Sequence, residues 1–126
     1  MAAMANILIV DDDEAVRGIL LELLSDRYDC NTASTAEEAF QYLEIENYDA
    51  VLTDIAMPGL TGVQLMKRIQ LKDLKTPVIL ISGKNEEQDS EALIKLGAFA
   101  YLHKPFSLDE IEFIVDRAVG NRDGSA

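Results

Sequence analysis

The sequence predicts an α/β domain in which a parallel sheet is covered by helices on both faces. Three observations carry this expectation. Short β-rich runs alternate with amphipathic stretches five times along the 126 residues. The strongest runs are apolar throughout, as strands buried on both faces are. Turn formers or helix caps stand at the joints between them. Successive βα units give a parallel sheet because right-handed crossovers return each strand in the same direction.

Asn6-Ile7-Leu8-Ile9-Val10 is a continuous apolar run ending in acids and reads as a central strand. Ala15 to Arg27 carries Val16, Ile19, Leu20, Leu23 and Leu24 as a helical stripe. Tyr28 to Ala33 is a more polar strand, suited to an edge. Thr35-Ala36-Glu37-Glu38 is a capping box opening a helix to about Asn47, with Ala36, Ala39, Phe40 and Leu43 on one face. Asp49 to Thr53 is the third strand, followed by Asp54 and the turn-rich segment Ile55 to Gly62. Val63, Met66, Ile69 and Leu71 belong to the third helix. Pro77 to Ile81 is the fourth strand and ends at Ser82-Gly83. The fourth helix, about Glu86 to Leu96, has few large apolar anchors and should be easily displaced. Ala98 to His103 is the fifth strand, and Ser107-Leu108-Asp109-Glu110 is a second capping box whose helix runs to about Val119. Residues 1–5 read as a flexible N-terminal extension, 6–119 as one domain and 120–126 as a flexible tail.

Length, charge and cysteine usage narrow the function. The chain suits one domain with one core. Its 48% hydrophobic and 27% charged residues are those of an ordinary globular protein, with no apolar run long enough for a membrane span. Eleven basic residues against 23 acidic ones, a net charge of -12, argue against direct nucleic acid binding and suit metal cations or basic partners. The single Cys30 cannot form an internal disulfide, which agrees with a reducing cytoplasm; it reads as a small strand residue.

In parallel sheets ligands bind at the carboxyl ends of the strands. There the first strand delivers Asp11, Asp12 and Asp13, the third Asp54, the fourth Ser82 and the fifth Lys104. Crowded carboxylates repel, and a hard divalent cation such as magnesium relieves them. Asp12 and Asp54 are expected as direct ligands, Asp11 through water, and the backbone carbonyl of Ala56 as a further oxygen donor. A metal-neutralised aspartate is also a nucleophile for phosphoryl transfer, with Lys104 offsetting charge and Ser82 donating a hydrogen bond. Asp13 and Glu14 are explained by the helix dipole alone.

Ile7 to Asp13, Leu52 to Gly59, Ile81-Ser82-Gly83 and Tyr101-Leu102-His103-Lys104-Pro105-Phe106 together resemble the receiver domain of bacterial two-component response regulators. The resemblance covers about Asn6 to Val119, in order and with fitting spacings. It implies a flavodoxin-like (βα)5 three-layer sandwich with strand order 2-1-3-4-5. It implies Asp54 as phosphoacceptor from a sensor histidine kinase or histidine phosphotransfer protein, Asp11 and Asp12 as the acidic pair, and Lys104 as the phosphate-contacting lysine. It further implies Ser82 and Tyr101 as switch residues and a cis Lys104-Pro105 peptide. The face made by the fourth helix, fifth strand and fifth helix would then signal to an output domain or partner, or form a phosphorylation-dependent homodimer. Such a protein phosphorylates and dephosphorylates itself but is not a turnover enzyme.

Ala56 and Lys84 occupy the family's modulating positions. Ala56 cannot position an attacking water and Lys84 adds a cation, so slow autodephosphorylation is expected. His103, one residue before Lys104, reads as local packing or part of the output face. The acidic run also resembles the Asp-x-Asp-x-Thr/Val signature of haloacid-dehalogenase phosphatases, but Ala15 stands at the Thr/Val position and no paired-acid motif follows Lys104. A flavin carrier would need a phosphate cradle where this loop is acidic.

Overall fold

Packing of the apolar runs against the amphipathic stretches produces ten elements in strict alternation. They are β1 (Asn6–Val10), α1 (Glu14–Leu24), β2 (Asp29–Ala33), α2 (Ala36–Ile45) and β3 (Ala50–Asp54), then α3 (Gly62–Leu71), β4 (Val78–Ser82), α4 (Ser90–Lys95), β5 (Ala100–His103) and α5 (Leu108–Arg122). The structure is a computed structural model that describes residues 4–72, 75–83 and 90–122. All strand pairs are parallel, in the order β2-β1-β3-β4-β5. This is the flavodoxin-like order expected from the resemblance.

β1, β3 and β4 are buried on both faces, and their alternating side chains feed two separate cores. Leu8, Val10, Val51, Val78 and Leu80 pack against α2, α3 and Leu93 of α4. Ile7, Ile9, Leu52, Ile79, Ile81 and Leu102 pack against Leu20 and Leu24 of α1 and Ile111, Val115 and Ala118 of α5. The sheet is thus the middle of three layers. β2 is one of the two edge strands, half-buried as its polar sequence requires.

Helix starts are fixed by side chains. Ser107 accepts from the Glu110 amide at 3.1 Å while Glu110 accepts from the Ser107 amide at 3.0 Å, a complete capping box. At α2 only half of the expected box forms. Thr35 caps Glu38 at 3.0 Å, but the Glu38 carboxylate reaches one residue further back, to the Ser34 amide at 2.6 Å. α3 has a box the sequence reading passed over, Thr61 with Gln64.

The structure corrects several expectations. Ile19 of the α1 stripe and Leu71 of α3 face solvent, 55% and 86% exposed, because the sheet covers a narrower arc than the apolar stripes span. Asp54 and Ser82 are the last residues of their strands rather than the first beyond them. The expected N-terminal extension is tied down at its end: the Ala5 carbonyl accepts from the Asp29 amide at 2.9 Å and Ala5 packs against the core. The expected tail from Gly120 is helical through Arg122. Lys84 and the first part of the expected fourth helix lie outside the described residues.

α5 is fastened to the chain after α1. Arg27 pairs with Glu112 at 3.2 Å and with Asp116 at 2.9 Å, and the Tyr28 hydroxyl donates to Asp116. Across the sheet, α4 has one buried side chain, Leu93.

Gly62, at the start of α3, lets the β3–α3 loop close on β3. A Cβ there would lie 2.3 Å from the Asp54 carbonyl oxygen, while the Gly62 amide donates to Ile55 O at 3.0 Å. Gly62→Ala is expected to destabilise the protein by about 1–3 kcal/mol in urea unfolding, since backbone must move to admit the methyl. Gly18→Ala, in the exposed middle of α1 with nothing near its Cβ, is expected to stabilise by about 0.5–1 kcal/mol.

Candidate functional site at the carboxyl edge of the sheet

The parallel ladder continues one residue beyond the strands and fixes the site backbone. The Asp11 amide donates to Ala33 O at 3.1 Å, the Ile55 amide to Ile81 O at 2.9 Å, and the Lys104 amide to Ser82 O at 3.0 Å. Side-chain alternation then sorts the functional groups by layer. Asp11 follows Ile9, Asp54 follows Leu52 and Lys104 follows Leu102, all on the α1/α5 side. Ser82 follows Leu80 on the α2–α4 side, where Tyr101 also packs. The acids and the lysine therefore meet in one layer, and the serine meets the tyrosine in the other.

Carboxylate oxygens of Asp11, Asp12 and Asp54 all lie within 4.8 Å of one another. Asp11 and Asp54 are buried and Asp12 is exposed. The Lys104 ammonium stands 3.4 Å from Asp11 Oδ2 and 3.8 Å from Asp54 Oδ2. The lysine thus bridges both buried acids and lies nearer Asp11. Burial raises the Asp11 pKa above its ordinary value, and the Asp12 charge adds to the rise. The Asp13 amide, bonded to Asp11 Oδ1 at 2.9 Å, and Lys104 oppose it. An all-oxygen donor set of this charge fits a hard divalent cation.

Ser82 is fully buried, and its Oγ lies 2.7 Å from the Tyr101 hydroxyl. Ala56 is exposed beside the site. His103 points outward, its Nδ1 2.7 Å from the Lys104 carbonyl, as local packing requires. The Lys104-Pro105 peptide is cis. Cys30 is half-buried on β2, and burial with the neighbouring Asp29 charge pushes its thiol pKa up to about 11, which suits an inert strand residue.

Two contributors went unseen in the sequence. Arg17, on α1, donates from Nη1 to the Asp11 carbonyl at 2.8 Å and so holds the acidic loop from below. Its place one turn into the helix that follows the acids was the available signal. Gly62 was read only as a turn former, although its position directly after Thr61, which caps α3, marks the point where that helix meets β3.

A family model for the response regulator receiver domain matches residues 7–116. The chain is 35% identical over 114 residues to the DNA-binding transcriptional regulator NtrC of Klebsiella pneumoniae, covering 90% of this chain and 24% of that protein. It is 37% identical over 107 residues to the alkaline phosphatase synthesis transcriptional regulatory protein PhoP of Bacillus subtilis, covering 84% of this chain and 45% of that one. It therefore spans less than half the length of these curated relatives. The crystal structure of a response regulator receiver domain protein from Clostridium thermocellum superposes with a TM-score of 0.89 at 26% identity, covering 98% of this chain and 100% of that one.

A carboxyl whose pKa is raised by folding favours the folded state at low pH and costs stability once the pH passes its folded value. Asp11→Asn is therefore expected to be more stable than the parent at neutral pH without divalent metal. The gap should close as the pH falls toward the ordinary carboxylate value of 3.8. Urea unfolding across this range checks it; a variant no more stable at neutral pH would contradict the account.

Proposed function

This chain belongs to the response regulator receiver domain family, and from that premise we propose that it is a phosphorylation switch with Asp54 as its phosphoacceptor. The observation that carries the reading is the cluster of Asp11, Asp12 and Asp54 oxygens within 4.8 Å, bridged by the Lys104 ammonium. The donor is a phosphohistidine of a sensor histidine kinase or histidine phosphotransfer protein. A carboxylate oxygen of Asp54 forms the new bond to phosphorus as the phosphorus–nitrogen bond breaks, and the imidazole keeps the electron pair.

Asp11, Asp12, Asp54 and the Ala56 carbonyl would hold magnesium, which when bound offsets negative charge on the carboxylates and the phosphoryl oxygens. Lys104, 3.8 Å from Asp54 Oδ2, would contact a phosphoryl oxygen on Asp54 and release Asp11 from its pair. Ser82 donates a hydrogen bond to the same group. The transfer runs once per phosphorylation and regenerates no free enzyme until the acyl phosphate hydrolyses, so the protein is a switch and not a turnover enzyme.

The response passes to the α4–β5–α5 face, which carries the exposed Ile94, Leu108 and Phe113 and would dock an output domain, a separate partner or a second copy. α4, whose one buried side chain is Leu93, is the element most easily shifted. The DNA binding in the name of NtrC is said of that whole protein, and this chain covers a quarter of it. The net charge of -12 supports a receiver that does not itself grip nucleic acid. No described helix is long and apolar enough to cross a membrane, and a cytoplasmic location agrees with the lone, unreactive Cys30.

Mass spectrometry after incubation with acetyl phosphate and magnesium is expected to show one added phosphoryl group. Its loss in Asp54→Ala, and on omission of magnesium, is the required result; a phosphorylated Asp54→Ala would overturn the assignment.

The phosphate should be long-lived, since the Ala56 side chain cannot orient a water. Ala56→Asn is expected to shorten the lifetime severalfold, followed as phosphate release from the purified phosphoprotein. An unchanged lifetime would remove Ala56 from the modulating positions.

A further inference from the structure

Asp12 is the exposed member of the acidic cluster, and its carboxylate makes no hydrogen bond to a described residue. Its direction is therefore set by the backbone on either side of it. Both flanking carbonyls are held by one residue of α1. Arg17 Nη1 donates to the Asp11 carbonyl at 2.8 Å, and the Arg17 amide donates to the Asp13 carbonyl at 3.0 Å. The second is the ordinary first-turn bond of the helix; the first belongs to no backbone ladder. The register of β1 with both neighbours ends at Val10, so the carbonyl of the buried Asp11 takes its donor from this side chain.

We infer that Arg17 is a positioning residue for the divalent metal: by bonding the Asp11 carbonyl it fixes the peptide between Asp11 and Asp12 and so aims the Asp12 carboxylate into the cluster. This rests on the metal site of the proposed function. The peptide is planar, so a turn of it changes ψ of Asp11 and φ of Asp12 together. The Asp12 carboxylate swings with that turn even while the Asp11 amide stays bonded to Ala33. Lys104 does not prevent it, because its contacts are to side-chain oxygens of Asp11 and Asp54, and it changes partner in the proposed switch. Arg17 is half-buried and holds backbone, so its grip is the same with and without a phosphoryl group. Its charge and its hydrogen bond act in opposite directions. A guanidinium beside the acids repels a cation, whereas a fixed ligand favours one.

Manganese is the probe, its binding to the whole chain followed as loss of the free-ion electron paramagnetic resonance signal. Urea unfolding of the metal-free protein is measured alongside. Arg17→Met keeps an apolar stem and deletes both charge and donor. It is expected to bind manganese about tenfold more weakly than the parent, although a cation has been removed from an acidic site. Tighter binding means that the guanidinium acts only as an opposing charge, and overturns the inference. Unchanged binding overturns it too, whatever the urea midpoint, because the bond then only fastens α1 to the loop. Arg27→Met makes the same chemical change at the α5 mooring, away from the site, and is expected to leave manganese binding unaltered. An equal loss there would reduce the Arg17 effect to general loosening and refute the inference. If Arg17→Met does not fold, Arg17→Gln, shorter but polar, takes its place with the same outcomes. A parent that binds no manganese brings down the metal site and this inference with it; a parent that binds beside an unaltered Arg17 variant refutes the inference alone.

Discussion

Mutual repulsion of carboxylates at a buried sheet edge is the constraint around which this molecule is arranged. Asp11 and Asp54 are almost fully removed from water, and Asp12 joins them within 4.8 Å. Nothing in the hydrophobic core favours such a cluster; apolar burial makes it more costly. It persists because the backbone beneath it is over-determined. β1 and β3 are each paired on both sides, and the ladder runs one residue past the strand ends into the site itself. Arg17 fixes the Asp11 carbonyl, Gly62 lets α3 abut the Asp54 carbonyl, and Lys104 spans the two buried acids. The fold's stability is in this sense spent on holding like charges together.

The large features were legible because they follow from burial and periodicity. Ile7 to Val10 and Val78 to Ile81 have no polar face, so only a strand covered on both sides accommodates them. Once the strands are parallel, Asp11, Asp54, Ser82 and Lys104 must share an edge. Strand order did not come from the residues in this way; it came from the resemblance, and with it came the neighbours of β4. Features that depend on lateral packing or on a rotamer stayed hidden. An apolar stripe records which side of a helix faces inward but not how wide an arc is covered, hence Ile19 and Leu71. Gly120 reads as a helix stop, yet α5 passes through it to Arg122. The lysine's closer approach to Asp11 than to Asp54, and the Ser82–Tyr101 bond, turn on side-chain direction.

The two hydroxyl and carboxylate layers also separate two tasks within one site. Side chains on the α1/α5 side of the sheet gather charge, whereas Ser82 and Tyr101 on the α2–α4 side bring two hydroxyls together. β4 is the strand between the acid and the tyrosine.

The fastening of α5 to Arg27 and Tyr28 gives the proposed signalling face an asymmetry of its own. One half is moored to a rigid neighbour and the other, α4, buries one side chain, Leu93. A partner spanning both would find a constant foothold on α5 and a variable one on α4. Recognition and readout would then be separable quantities: the moored half sets which partner docks, and the loose half sets how much its affinity changes when the switch is thrown. Such a surface can hold a partner loosely in the off state, ready at high local concentration, instead of recruiting it from solution each time.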